Sequence, residues 1–376
     1  MKILFFAINE FDPMHGGVER VSCDLGNYFV KESQQVLYLS VFGKINSVAI
    51  YALPFSKKIL SFQNKNFIRD FLEYQKIDLV INQSSFSLSA SQLLLSASKS
   101  LNIPVISVFH SAPNCHNLHF DNHIKISKSY KKPLFKIFIP ILKSYYNYID
   151  HMTFKYVYDN SRCCSLLSKS YFDSFKKIIG EKTLPKLIAM HNPTGFKATD
   201  NCEKKNRVLC IGRLHNSKRV DKVISSWINI LDRIEGDWEL IIAGDGPEYE
   251  RMVHDNKISS IKFVGKVNPL EYYKSSKIFC MASSYEGLPM TLIESIQFGV
   301  VPIVLNTFEA VHDVIDGSNG FIVENMSEFE DSLLMLINNP QLRFQMSLNA
   351  KESSSKFSIA TIGQQWLQLF SNILAK

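Results

Sequence analysis

Several common features are missing from this sequence, and each absence removes a class of protein. No apolar run reaches the roughly 18 residues that a membrane-spanning helix requires, so an integral membrane protein is not expected. The seven cysteines are an odd number, include the adjacent pair Cys163 and Cys164, and form no CxxC motif. That argues against a disulfide framework or a zinc site and for a reducing, cytoplasmic compartment. There is no P-loop, no HExxH, no GxSxG, and no Asp-x-Asp pair that would hold a metal–diphosphate complex. The opening stretch MKILFFAINEFDPMHGG has one lysine and a short apolar run, and no small-residue cleavage site follows. It reads as a first β-strand rather than a secretion signal. Low-complexity segments and short-period repeats are also absent.

What is present is a globular composition, with 46% hydrophobic and 20% charged residues, which excludes disorder. A length of 376 residues fits two ordinary domains or one large one. The net charge of +7 is unevenly spread. Residues 1–200 hold 24 lysines and arginines against 14 acids, whereas the remainder holds 18 against 21. A basic half joined to a mildly acidic half points to an anionic partner for the first half. No nucleic-acid partner is expected.

Short continuous apolar runs alternate with helical patterns. Strands read at 2–8, 35–42, 77–83, 104–110 and 162–168, and again at 207–212, 238–244, 261–265, 278–283, 300–305 and 320–323. Continuous apolar strands separated by helices predict parallel sheets covered on both faces. The polar, turn-rich stretch HNPTGFKATDNCEKKN (191–206) reads as the join. The expected architecture is α/β, with two doubly wound Rossmann-like domains facing across a cleft. The domains are drawn at 1–196 and 203–355, followed by a C-terminal helix at 356–376 for which a return to the first domain is one open arrangement.

In such sheets ligands bind beyond the carboxyl ends of the strands. The residues that follow the strands are therefore the candidates. Arg213 and Lys218, in IGRLHNSKRVDKVI, sit on a strand-to-helix loop where two cations and a helix N-terminus would hold a diphosphate. A merely solvated basic loop stays open as the alternative. SSYEGLPMTLIES carries Glu286 on a loop and Glu294 on the helix that follows. Gly287 would let a ligand approach the backbone, and the N–H groups of Gly287, Leu288, Met290 and Thr291 would point towards it. Either carboxylate suits a sugar or ribose diol. The spacings Ser283-x-x-Glu286 and Thr291-x-x-Glu294 equally match capping boxes. Gly16 and Gly17 open the first helix, as a tight turn or a phosphate approach, and His110 ends a strand at the same edge. GDGPEY lacks the third glycine of a dinucleotide fingerprint, which argues against a dehydrogenase.

Taken in order, the Gly-Gly pair, GRLHNSKRVDKVI, AGDGPE, FVGKV, SSYEGLPMTLIESIQFGVVPI and DGSNGFIV resemble the retaining family 4 glycosyltransferases of GT-B fold, of the bacterial polysaccharide and lipopolysaccharide type. The resemblance is dense over 203–355 and thin over 1–200, where it rests on Gly16, Gly17 and His110. HNPTGF departs from the asparagine-glycine-valine turn of many members. The resemblance implies a hexosyl-type transferase with a nucleotide-sugar donor, most often a UDP-sugar, held by the second domain, and a glycan or glycolipid acceptor at the first. It places Arg213 and Lys218 on the diphosphate, Glu294 on the ribose, Glu286 beside the transferred sugar and Val267 near the base. It brings Gly16 and Gly17 to the diphosphate and His110 to the sugar's hydroxyl side. His110, Glu286, Arg213 and Lys218 form the implied catalytic set. No cofactor and no metal are expected, and surface polysaccharide, capsule or lipopolysaccharide synthesis is the implied setting. A sugar-nucleotide epimerase or a catalytically silent relative remains the alternative.

Residues 125–158 hold seven lysines, one acid and many aromatics. Lys125, Lys128, Lys131, Lys132, Lys136 and Lys143 would suit an anionic membrane surface, with the rings in the headgroup zone. A helix pair with solvated lysines reads the same composition. A peripheral position on the inner face of the cytoplasmic membrane is the expectation.

Overall fold

The computed structural model describes residues 1–13, 16–43, 49–55, 57–118, 133–196 and 203–375, with side chains omitted over 133–138. Two compact units emerge, Met1–Gly195 with Ser358–Lys376, and Phe196–Phe357.

The first unit is built on a seven-stranded parallel sheet in the order β3-β2-β1-β4-β5-β6-β7. Its strands are β1 (Lys2–Ala7), β2 (Gln35–Ser40), β3 (Ile50–Ala52), β4 (Leu79–Asn82), β5 (Val105–Phe109), β6 (Cys163–Leu166) and β7 (Leu187–Ala189). The central strands are buried along their length, save Lys2 at the start of β1, as KILFFA, LVIN and VISVF predict for a sheet covered on both faces. The edge strands β3 and β7 were not anticipated, because three residues of IYA or LIA carry no readable period.

The helix Gly17–Lys31 covers the sheet near β1, and the last helix, Ile359–Leu374, packs on it. Phe29 and Phe370 meet edge to face at 5.2 Å. Gly363 permits the approach, since a Cβ there would lie 2.4 Å from the Tyr28 ring. The long helix Pro133–Asn160 buries Asp150, Thr153, Phe154 and Val157 against the unit, with Phe154 stacked on Phe175. Its earlier turns expose Ile141, Leu142, Tyr145, Tyr148 and Ile149.

The second unit has a six-stranded parallel sheet in the order β10-β9-β8-β11-β12-β13. Its strands are β8 (Arg207–Ile211), β9 (Glu239–Ala243), β10 (Ile261–Gly265), β11 (Ile278–Met281), β12 (Val301–Leu305) and β13 (Phe321–Val323). Its core gathers around Trp227, Leu240, Ile278, Ile303 and Phe329. In both sheets the strand order reverses beside the first strand, between β1 and β4 and between β8 and β11. Such reversals open a crevice at the carboxyl edge, where ligands settle. Among the described residues no helix is long and apolar enough to cross a membrane.

Candidate functional site

The crevice between β8 and β11 receives the loops that carry Arg213, Lys218 and Glu286. After β8 the chain passes Gly212 and Arg213, makes a short 3-10 turn over Asn216–Lys218, and enters the helix Val220–Ile230. Arg219 takes a left-handed conformation, φ 51°, to turn the chain into that helix. The two loops are tied together, because the Ser284 N–H donates to the Ser217 carbonyl at 2.7 Å. Thr307 adds a hydroxyl donated to the Ser283 carbonyl at 2.6 Å.

On this frame Lys218 Nζ donates to Glu286 Oε1 at 2.5 Å, across 68 positions of sequence. The pair is only partly shielded, with side-chain exposures of 32% for Lys218 and 11% for Glu286. Arg213 stands exposed on the same loop. The Lys218 stem runs over Gly212, whose added Cβ would touch it at 4.0 Å.

GDGP follows β9 and is explained by packing. Gly244 has φ 143°, and a Cβ there would fall 1.9 Å from the Gly212 carbonyl oxygen. Gly246 meets the Leu214 carbonyl in the same way, at 2.4 Å. Hydrogen bonds from the Gly212 N–H to the Ala243 carbonyl (3.0 Å) and the Leu214 N–H to the Asp245 carbonyl (2.9 Å) fix this approach. The glycines thus shape the Arg213 loop from beneath. Val267 lies half-buried beyond β10, farther along the same edge.

The helix Met290–Gln297 begins after Pro289, with no side-chain cap hydrogen bond. The capping-box alternative for Glu286 and Glu294 therefore does not hold: Glu286 lies outside the helix and Glu294 one turn past its start. Gly287 and Leu288 are buried, and Met290 and Thr291 are half-buried. Glu294 has no exposed surface, and its Oε2 accepts the Tyr273 hydroxyl at 2.8 Å. Tyr273 stacks on Phe298, and Phe196 lies edge-on to both rings. Lys218, Glu286 and Arg213 are thus carried to one edge of the sheet, whereas Glu294 is fully buried against Tyr273.

In the first unit, Gly16 precedes the helix Gly17–Lys31 in extended backbone, so left-handed freedom is not what requires it. A Cβ there would meet Glu19 Oε2 at 2.7 Å. Glu19 sits in the first helical turn, where a carboxylate is favoured by the helix dipole, and accepts from Asn9 Nδ2 at 3.2 Å. The helix start named for a phosphate approach thus also carries an internal carboxylate. His110 Nε2 lies 2.5 Å from Gln83 Oε1, and Gln83 Nε2 donates to Ser22 Oγ at 3.0 Å. Burial pushes the His110 imidazole down to about 4, so it is neutral at pH 7 and donates to the amide oxygen. Gln83 was not singled out from sequence. Its signal was available, since it follows β4 at the reversal.

A second histidine, in the helical turn that begins at Cys115, was also missed. His116 Nδ1 lies 2.6 Å from Oδ1 of the buried Asp150, and that bond raises the His116 pKa. Burial pushes the thiols of Cys115, Cys163 and Cys210 up to about 12, so none of the three is a ready nucleophile. Lys125, Lys128, Lys131 and Lys132 fall outside the described residues, as does the side chain of Lys136, while Lys143 is half-buried.

Residues 193–353 match the family described as glycosyl transferases group 1. An uncharacterized glycosyltransferase of Haemophilus influenzae is 27% identical, over 97% of this chain and 98% of its own. A Campylobacter jejuni α-1,4-N-acetyl-D-galactosaminyltransferase, named for a diNAcBac-PP-undecaprenol substrate, is 28% identical over 54% of this chain and 60% of its own length. HepE of Anabaena, solved in complex with UDP, superposes with a TM-score of 0.73 at 15% identity, covering 99% of this chain and 100% of that one. The two sheets are those of the GT-B fold, and the matches together support a glycosyltransferase.

Proposed function

We propose that the protein is a retaining glycosyltransferase of family 4 that moves a hexosyl group from a UDP-sugar to a hydroxyl of a lipid-linked glycan, in surface polysaccharide synthesis. The observation that carries this reading is the Lys218–Glu286 pair, with Arg213 on the same loop as Lys218, at the strand-order reversal of the second sheet. A UDP-bound relative of the same fold and a relative named for an undecaprenol-linked substrate support the donor and acceptor classes.

In this reading Arg213 and Lys218 hold the diphosphate, and the start of the helix Met290–Gln297 adds N–H donors from Gly287 to Thr291. Negative charge grows on the diphosphate as the glycosidic bond breaks, and these preplaced groups stabilise it without a divalent ion. Glu286 receives sugar hydroxyls, Val267 lies towards the base, and Glu294 with Tyr273 backs the ribose. The acceptor hydroxyl attacks from the face the leaving group vacates, and the leaving phosphate takes its proton. The first unit serves the acceptor, with Gly16 and Gly17 brought to the donor diphosphate and the neutral His110 to the sugar's hydroxyl side.

Incubation with a panel of UDP-sugars should release UDP, undiminished by chelator, and proton NMR should give the product the anomeric configuration of the donor. An inverted product would end the retaining assignment, and absence of both hydrolysis and transfer would end the transferase reading. The lysines of 125–143 and the exposed Ile141, Tyr145 and Tyr148 favour a peripheral position on an anionic membrane. Flotation should show salt-sensitive binding to anionic vesicles. Equal binding to neutral ones would count against it.

A further inference from the structure

The Lys218–Glu286 contact poses an electrostatic question. A fixed carboxylate sits 2.5 Å from the ammonium assigned to the diphosphate. For an anion site this is costly placement, because every negative group brought to Lys218 also meets Glu286. Glu286 is the more enclosed partner, at 11% side-chain exposure, so its charge is screened less than that of a surface acid. It is also held in place. The Ser284–Ser217 backbone bond and the Thr307 hydroxyl anchor the loop on which it rides. A carboxylate placed this way discriminates among anions by how much charge they bring.

The two nucleotides that pass through the proposed site differ in that respect. In a nucleoside diphosphate-sugar the β-phosphate is a diester carrying one negative charge. In the free nucleoside diphosphate it is a terminal phosphate, whose second ionisation lies near pH 6 and which carries about −1.5 to −2 at neutral pH. The sugar also offers hydroxyl donors to a carboxylate, and the free diphosphate offers none there.

We propose that Glu286 sets the specificity of the site for the sugar-bearing diphosphate over the free one. In the ligand-free protein it pairs with Lys218. When donor enters, Lys218 turns to the phosphate and Glu286 takes sugar hydroxyls in exchange. When the sugar has left, the same carboxylate faces the more highly charged phosphate with nothing to accept from, and the product is repelled. This rests on the donor-site reading given above.

Titration calorimetry with UDP and UDP-glucose on wild type and Glu286→Gln tests it. The glutamine keeps the shape and hydrogen-bonding reach but removes the charge. UDP should bind Glu286→Gln about tenfold more tightly than wild type, while UDP-glucose binds no more tightly. Glu286→Asp, which restores the charge, should keep UDP weak and guards against a folding artefact. If wild type binds UDP and Glu286→Gln binds it equally or more weakly, this inference fails and the donor site stands. If wild type binds neither nucleotide, the donor-site reading falls and takes the inference with it.

Discussion

The crevice beside β1 and β4 is furnished by Gln83, His110 and Ser22, joined by hydrogen bonds and uncharged at neutral pH. The matching crevice beside β8 and β11 holds Lys218 paired with Glu286, with Arg213 exposed on the same loop as Lys218. At the helix that follows each first strand the contrast repeats. Glu19 fills the start of the first unit's helix, whereas Lys218 ends the turn that leads into the second unit's helix. One topology thus presents an uncharged hydrogen-bonded cluster and a helix-start carboxylate in one unit, and a cation paired with a carboxylate in the other. The overall charge runs opposite to this, since residues 1–200 are the basic part of the chain. In the proposed reading, the placement of charge and not its sum assigns the diphosphate to the second unit.

Removing the cation should break the contrast most strongly. Lys218→Ala should lower turnover about a hundredfold, the usual consequence of losing one preplaced charge at a leaving group. His110→Gln, in the uncharged cluster, should lower it much less, since glutamine retains a donor towards Gln83. Steady-state rates of both variants with one UDP-sugar check the pair. Near-normal turnover in Lys218→Ala would contradict the diphosphate assignment.

A second contrast concerns glycine. Gly244 has φ 143° and backs onto the Gly212 carbonyl, while Gly180 of the first unit has φ 79° and open space, with nothing within 4 Å of where a Cβ would stand. Gly244→Ala should cost about 3 kcal/mol, because backbone must move as well as bend. Gly180→Ala should cost about 1 kcal/mol, the left-handed conformation alone. Urea midpoints for the transition of each unit measure the difference. Equal losses would remove the packing explanation for GDGP.

These comparisons also mark how far sequence could be read. The long apolar runs located eleven strands, because a buried parallel strand leaves a continuous signature. The edge strands Ile50–Ala52 and Leu187–Ala189 were too short to leave one. Arg213, Lys218 and Glu286 were each found as residues that follow strands, and the parallel topology then brought their loops together. Their ion pair was not readable, since it spans 68 positions and depends on the strand order. The same holds for Tyr273 on Glu294, and for Asp150 on His116. Glu294 suited a diol as a carboxylate, yet its full burial was not readable, because Tyr273, Phe298 and Phe196, which pack on one another beside it, come from three separate segments. The capping boxes failed for a local reason, because the helix starts only after Pro289.

The finest contrast lies between two histidines that follow β5 in the first unit. His110 and His116 are six positions apart and are shifted in opposite directions. Desolvation lowers His110 from 6.5 to about 4, so its neutral form is favoured by folding. Its contribution to stability is present above pH 6.5 and is lost as pH falls from 6.5 towards 4, by about 1–2 kcal/mol once its partial exposure is allowed for. The hydrogen bond to Asp150 raises His116, so its charged form is favoured. That contribution is complete below pH 6.5 and fades as pH rises through the folded value. It is smaller, below about 1 kcal/mol, because the ring is 42% exposed and solvent screens the pair. Urea midpoints against pH should therefore fall on the acid side less steeply in His110→Gln than in wild type. In His116→Gln the small gain that wild type enjoys at low pH should vanish, with no change above the folded value. Two-dimensional NMR of the rings gives the same ordering directly, His110 titrating well below 6.5 and His116 above it. Coincident titrations would mean that Gln83 and Asp150 do not hold the two rings as described.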